Sequence, residues 1–398
     1  MRNDISLGKS RLYTWFLMMI SIVSNLSYYP FFQQSNYARN IVIGLWCVLL
    51  FVAVFHKTIY VRENPFIILC YLNYFVFVIN SLIGFLCGNR EIFSNHFFRT
   101  VTISIIILSI GYLMSFDFSH ESMKKILMVY MYSIIIFSIP LFTIYLVNGD
   151  VSTSQYSYKF GKNEISVLLL CALIILLICF TPKSLLSKIV FLIGLFFILI
   201  DLVLLRCRSV YFGVIITFVF VLFKRNAISK WVKIIVVLLL TLFILFFILN
   251  RDALNFFINK ILFAGRDGDS IDSISSGRVT IIKDAMKVFR QNFLFGVGSY
   301  ETVDCIYVSI LTNYGIMGYP LIVLTFIPLI YNISQMKNGK SSFLCLGLIS
   351  LSLFFVGLFE ELAPFGPGTR CYILWLMTGI SFGLDNDEKK RLIEHEDS

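Results

Sequence analysis

The chain predicts an all-α polytopic membrane protein of about twelve transmembrane helices, with one large external loop containing an amphipathic helix. Three observations carry that expectation. Of 398 residues, 58% are hydrophobic and 14% charged, and the mean hydropathy is +0.85, which excludes an ordinary soluble domain. Apolar runs of helix length recur along the whole chain, each able to cross a hydrocarbon core of about 30 Å. The net charge of +10 sits mostly at the ends of those runs, where membrane anchors lie, so it does not point to nucleic acid.

In order, the runs fall near 12–29, 40–56, 65–87, 98–116, 125–147, 164–180, 187–204, 209–223 and 231–249, then 303–333, 342–358 and 370–384. The run at 303–333 exceeds one span and holds Gly315, Gly318, Pro320 and Pro328, so a kink is expected there. Four regions follow: a transmembrane bundle over 1–249, an external loop over 250–303, further spans over 304–384 and a charged cytoplasmic tail over 385–398. With the N-terminus inside, the inner links carry Lys57, Arg62, Lys124, Lys125, Lys183, Lys188, Lys224, Arg225, Lys230, Lys233, Lys337 and Lys340. The outer links carry fewer basic residues: Arg39, Arg90, Arg99, Lys159, Lys162, Arg206, Arg208 and Arg370. That asymmetry calls for an even number of spans with both termini cytoplasmic. No small-residue cleavage site follows the first run, so no cleavable signal peptide is expected.

Six of the nine cysteines lie inside apolar runs and none forms a CxxC, so they read as small buried hydrophobes. His56, His96, His120 and His395 have no ligand spacing. Asp267, Asp269 and Asp272 lack the later glutamate of a calcium loop and read as a polar loop. No metal or cofactor is expected. The absence of a half-chain repeat gives an inverted-repeat transporter no support.

The polar chemistry concentrates in Ser275 to Gly318. Ser275 or Ser276 is placed to cap a helix from about Val279 to Arg290. On that helix Lys283, Lys287 and Arg290 form one stripe, which reads as a face lying on anionic headgroups, and Ile281, Ile282, Ala285 and Phe289 form the opposite arc. Extending the same phase back puts Arg278 within the apolar arc, at a helix N-terminus that disfavours a cation. An anion nearby would hold it there. A salt bridge to Asp272 or Asp284 is the structural alternative.

This stretch resembles the O-antigen ligase and polymerase family of bacterial surface-polysaccharide assembly. The resemblance rests on Ser276-Gly277-Arg278, Gly296-Val297-Gly298, Asp304 and Gly315-Ile316-Met317-Gly318. Ile282 stands where the family often has Trp, and Asp304 where the ligases carry His. Cys207-Arg208 fits a further position, an arginine after a small residue at a helix start.

The resemblance implies a glycosyltransferase at the outer face of the bacterial cytoplasmic (inner) membrane, acting on oligosaccharide carried by undecaprenyl diphosphate. Arg208 and Arg278 would stabilise the leaving diphosphate without a metal, since guanidinium pairs bidentately with phosphate oxygens. Asp304 would orient or deprotonate the acceptor hydroxyl, its alternative being a helix-start carboxylate. Arg206, Arg290, Tyr307, Glu360, Glu361 and Arg370 are the candidate substrate-binding residues. For the arginines at 206 and 208 the alternative is snorkelling to headgroups, and for Glu360 and Glu361 a solvated helix end. Asp304 in the histidine position leans the expectation to a polymerase, whose acceptor is another lipid-linked repeat. The alternatives are a ligase acting on lipid A-core and a flippase or other transporter of lipid-linked oligosaccharide. Membrane lipids are expected partners, with a chain-length regulator and a flippase as further ones.

Overall fold

The computed structural model describes residues 2–29, 32, 36–56, 64–89, 91–93, 95–115, 118–148, 162–224, 228–262, 277–300, 303–361, 363–366 and 368–396. Asp267, Asp269, Asp272, Ser275 and Ser276 lie outside these residues. The order is α1 (Arg2–Leu26), α2 (Asn36–His56), α3 (Pro65–Leu86), α4 (His96–Met114), α5 (His120–Asn148), α6 (Lys162–Ile178), α7 (Leu185–Leu205), α8 (Arg208–Phe223) and α9 (Lys230–Leu249). A short α10 (Arg251–Phe256) runs into a π-helical turn, Phe257–Leu262, and is followed by α11 (Arg278–Gln291). Then come α12 (Ile306–Tyr314), a 3-10 turn at Gly315–Gly318, α13 (Tyr319–Gln335), α14 (Ser341–Gly357) and α15 (Tyr372–Glu396). Each expected apolar run coincides with helix. Among the described residues, seven helical runs are long and apolar enough to cross a membrane, and four shorter apolar helices accompany them.

Local chemistry sets several starts. The Asn64 side chain accepts from the Phe66 amide with Pro65 at the first helical position, and Asn95 accepts from the Phe97 amide, each satisfying an orphan donor of the first turn. Ser184 and Ser187 reciprocate in a capping box ahead of α7.

Burial sorts the helices into centre and rim. From Ile165 to Ile178 every side chain of α6 is buried, as expected of a helix apolar all round with helices on every side. At the rim, α9 buries only Val232 and Val236. Its apolar residues form a surface that water would not tolerate and lipid does. The helices α4 and α15 pack backbone to backbone. A Cβ on Gly111 would collide with the Leu376 carbonyl, and one on Gly379 with the Leu108 carbonyl. Small residues on both partners let two backbones approach, as membrane helices commonly require.

The expected kink falls at Gly315, whose φ of 62° and ψ of −157° belong to a region open essentially to glycine alone. The break leaves α12 as a half-length helix ahead of α13. Its last carbonyls are taken by the loop after α11: Val297 N donates to Thr312 O (3.0 Å) and Gly298 N to Asn313 O (2.8 Å). In return Ile316 N donates to Phe293 O (2.8 Å) and Met317 N to Leu294 O (3.1 Å). Broken helices persist in membranes only where protein groups satisfy the freed backbone in this way. A Cβ at Gly296 would strike the Asn313 carbonyl, and one at Gly315 the Leu294 carbonyl. The two glycine motifs are therefore two halves of one backbone joint.

Gly315→Ala should lower thermal stability in detergent by several kcal/mol, since strain of about 1–3 kcal/mol in that glycine-only region adds to a backbone collision. Gly339 also has positive φ (69°) but open space around its Cα, so Gly339→Ala should cost only about 1 kcal/mol. Equal melting points for the two variants would disprove the joint.

Candidate functional site

The joint fixes α11 against α12 and thereby brings two charges together. Gly277, at φ 78°, turns the chain into α11 and is the cap where Ser275 or Ser276 was expected. The helix spans Arg278–Gln291 with Ala285 and Phe289 buried, whereas Ile281 is exposed, so only part of the expected apolar arc faces protein, and Arg278, two turns before Ala285, is partly buried on that side. Its partner is Asp304, with Nε to Oδ2 at 2.8 Å; the side chains are 22% and 43% exposed. This is the anion expected beside Arg278. Asp284 does not fill that place, since it pairs with Lys287 at 2.8 Å on the exposed face; Asp272 lies outside the described residues. Because Asp304 takes the Nε edge, the far end of the guanidinium stays available for a second anion.

A second, buried pair of charges adjoins the first. Glu360 follows α14, is 7% exposed, and accepts from Ser209 Oγ at 3.2 Å. It is therefore no solvated helix end. Burial pushes its carboxyl above the usual glutamate range and the charge of Asp304 adds to that, while Arg370, Arg278 and the Ser209 hydroxyl oppose it. Arg370 is 2% exposed, and its Nε and Nη2 are buried without a hydrogen-bond partner. Donors buried in that state are costly unless something occupies them.

The remaining candidates divide. Arg208 opens α8 one residue before Ser209, so the α7–α8 corner carries it to the same end as Glu360. Arg206, at φ 51° and ψ 41°, ends α7. It is 5% exposed, so it is packed inside protein and does not snorkel to headgroups. Glu361 turns the other way and pairs with His96 at 3.2 Å. The Tyr307 ring packs on Phe326 and Phe354, at 6.3 and 5.9 Å. Arg290 lies on the exposed face with Lys283 and Lys287. Among the described residues no group of three His, Cys, Asp or Glu converges.

Several participants were not visible in the sequence. Arg39 Nη2 meets Glu164 Oε2 at 2.6 Å, with its guanidinium 5.2 Å from the Tyr28 ring centroid. Asn95 Nδ2 reaches Gly298 O at 2.6 Å and Asn313 Oδ1 at 3.2 Å, tying α4 to the joint. The available signal was polar residues at the mouths of apolar runs assigned to one side; their pairing needs the fold.

Residues 193–323 match the family model described as O-antigen ligase. The matched region holds Arg206, Arg208, Arg278, both glycine motifs and Asp304, whereas Glu360 and Arg370 lie beyond it. No curated protein matches the chain. The protein is thus an all-α, multi-pass membrane protein with an O-antigen-ligase-type region. The description names ligation, so it favours the ligase over the polymerase to which Asp304 alone had leaned.

Glu360 supplies a pH test. Its folded-state pKa is raised above the ordinary 4.5, so the stability linked to its proton is full below about 4.5 and is lost as pH rises through the folded value. Glu360→Gln, which cannot ionise, should melt higher than wild type at neutral pH. The gap should close on acidification towards pH 4.5. A gap independent of pH would show that the carboxyl stays ionised in its site.

Proposed function

We propose that this protein transfers a glycan from a polyprenyl-diphosphate carrier to an acceptor hydroxyl at the outer face of a bacterial cytoplasmic membrane, as an O-antigen ligase does. The Arg278–Asp304 pair carries the reading, because it sets a guanidinium with its phosphate-binding end open beside a half-exposed carboxylate. The match over 193–323 supports it independently.

The roles follow from the groups. The acceptor oxygen attacks the anomeric carbon as the bond from that carbon to the diphosphate oxygen breaks, and the hydroxyl proton passes to a carboxylate. Arg278 and Arg208 hold the charge that grows on the departing diphosphate, a task suited to planar, always-protonated guanidinium. Asp304 fixes Arg278 through Oδ2 and offers Oδ1 to the acceptor hydroxyl. Glu360 and Arg370 form a buried backing whose charges bear on the pair. A second reading, polymerisation onto another lipid-linked repeat, rests on Asp304 standing where the resembling ligases have histidine. Twelve spans with both termini cytoplasmic, as the basic-residue asymmetry indicates, place the ion pair outside.

Arg278→Lys keeps the charge but loses the fork, and Asp304→Asn removes the orienting charge. Each should lower transfer by about two to three decades, the scale of losing one transition-state contact, with the protein still inserted. Near-normal surface glycan from either variant would refute the assignment. A gel of surface polysaccharide from cells lacking the protein separates the acceptors: polymer missing from core indicates a ligase, single-repeat caps a polymerase.

Sidedness is tested in spheroplasts carrying Cys87→Ser, which removes an exposed native thiol. An impermeant thiol reagent should then label Ser299→Cys and spare Ser229→Cys. Labelling of Ser229→Cys alone would invert the proposed topology.

A further inference from the structure

The segment joining α14 to α15 presents adjacent carboxylates to two places. Glu360 backs the ion pair just described, while Glu361 holds His96 across a separate cleft of about 280 Å³, whose walls include Arg39, Asn40, His96, Arg99 and Gly368. We propose that this cleft is a second anion site, built to take a phosphate group borne either by the glycan acceptor or by an anionic phospholipid headgroup.

The inventory of polar groups is one-sided. Arg99 Nη2 donates to Asn40 Oδ1 at 2.5 Å, and among the described residues no carboxylate pairs with Arg99. Since Asn40 spends its oxygen on Arg99, its amide NH₂ remains as a donor. Arg39 spends one guanidinium end on Glu164, yet its Nε is buried with no hydrogen-bond partner. Glu164 and Glu361, which Arg39 and His96 meet, are not among the cleft-lining residues. The N-terminal end of α4, which starts at His96, adds the positive end of a helix dipole. An uncharged sugar alone would need acceptors as well as donors. Donors and cations in a concave site match phosphate oxygens.

Position gives the cleft its second meaning. Gly368, at φ 56°, lines the cleft, and Arg370, two residues later, bears on Glu360. One short segment therefore contributes to both places. The phosphate site itself stands on the cleft alone; its assignment to an acceptor rests on the transferase reading and on the segment that the cleft shares with Arg370.

The test measures binding, so it does not depend on turnover. The full chain carrying Arg278→Ala, which disables the first site, is placed in phosphatidylcholine nanodiscs and titrated with inorganic phosphate. Adding Arg99→Gln, an exposed position that should not disturb folding, should weaken saturable binding about tenfold or more, as loss of one charge-assisted contact does. Asn40→Asp, which installs a repelling carboxylate at nearly constant shape, should do the same. Unchanged affinity in both variants overturns the proposal, as does an absence of saturable phosphate binding. Repeating the titration with phosphatidylglycerol in the nanodisc separates the sources: competition identifies the headgroup as occupant, and its absence points to the acceptor's phosphate. Both results support the site. If transfer activity is found, Arg99→Gln in the otherwise native chain should raise the acceptor KM while leaving the donor KM unchanged when the acceptor is the occupant.

Discussion

Everything at the polar end of this bundle depends on how a broken helix is mended. Gly315 stops α12 after a few turns, and the carbonyls of Thr312 and Asn313 are left without the amides that a continuous helix would supply. The loop containing Gly296, Val297 and Gly298 provides those amides, and it can come close enough only because two glycines lack a Cβ. Asn89 and Asn95, in the connection between α3 and α4, then reach the same loop. Arg278 at one end of α11 and Asp304 just ahead of α12 meet because the joint leaves their elements no other relative position.

The electrostatics follow from that geometry in two layers. The outer pair is partly solvated, so it contributes little to stability, on the scale of 0–1 kcal/mol for exposed pairs. The inner layer, Glu360 with Arg370, is nearly sealed. There the desolvation of a charge is costly, which is what pushes the Glu360 carboxyl upward. A site built this way keeps its working charges adjustable at the surface and anchors them on buried ones.

Much of this was legible in the sequence, and the reasons are specific. The apolar runs located the helices because hydropathy over about twenty residues is a local property. The phase of α11 put Arg278 on the buried arc, and α11 begins and ends within one residue of the expected helix. The partner of Arg278 was not legible as such: Asp304 is 26 positions away, and the nearer carboxylates at 272 and 284 satisfied the same local argument. Ser209 and Glu360 are 151 positions apart, and Arg39 and Glu164 are 125 apart. No periodicity encodes such pairings. Glu360 was undervalued for a related reason, since a charged residue after an apolar run resembles a solvated end until the α7–α8 corner is seen to cover it.

The contrast between α6 and α9 bears on how much the sequence is free to drift. Every side chain from Ile165 to Ile178 must fit neighbours on all sides, so exchange there is governed by volume and shape, a methylene at a time. In α9 only Val232 and Val236 are buried, and at its outward positions a residue of similar hydropathy meets the same requirement. The two helices are alike in composition, yet one stores the architecture of the protein and the other only its address in the bilayer.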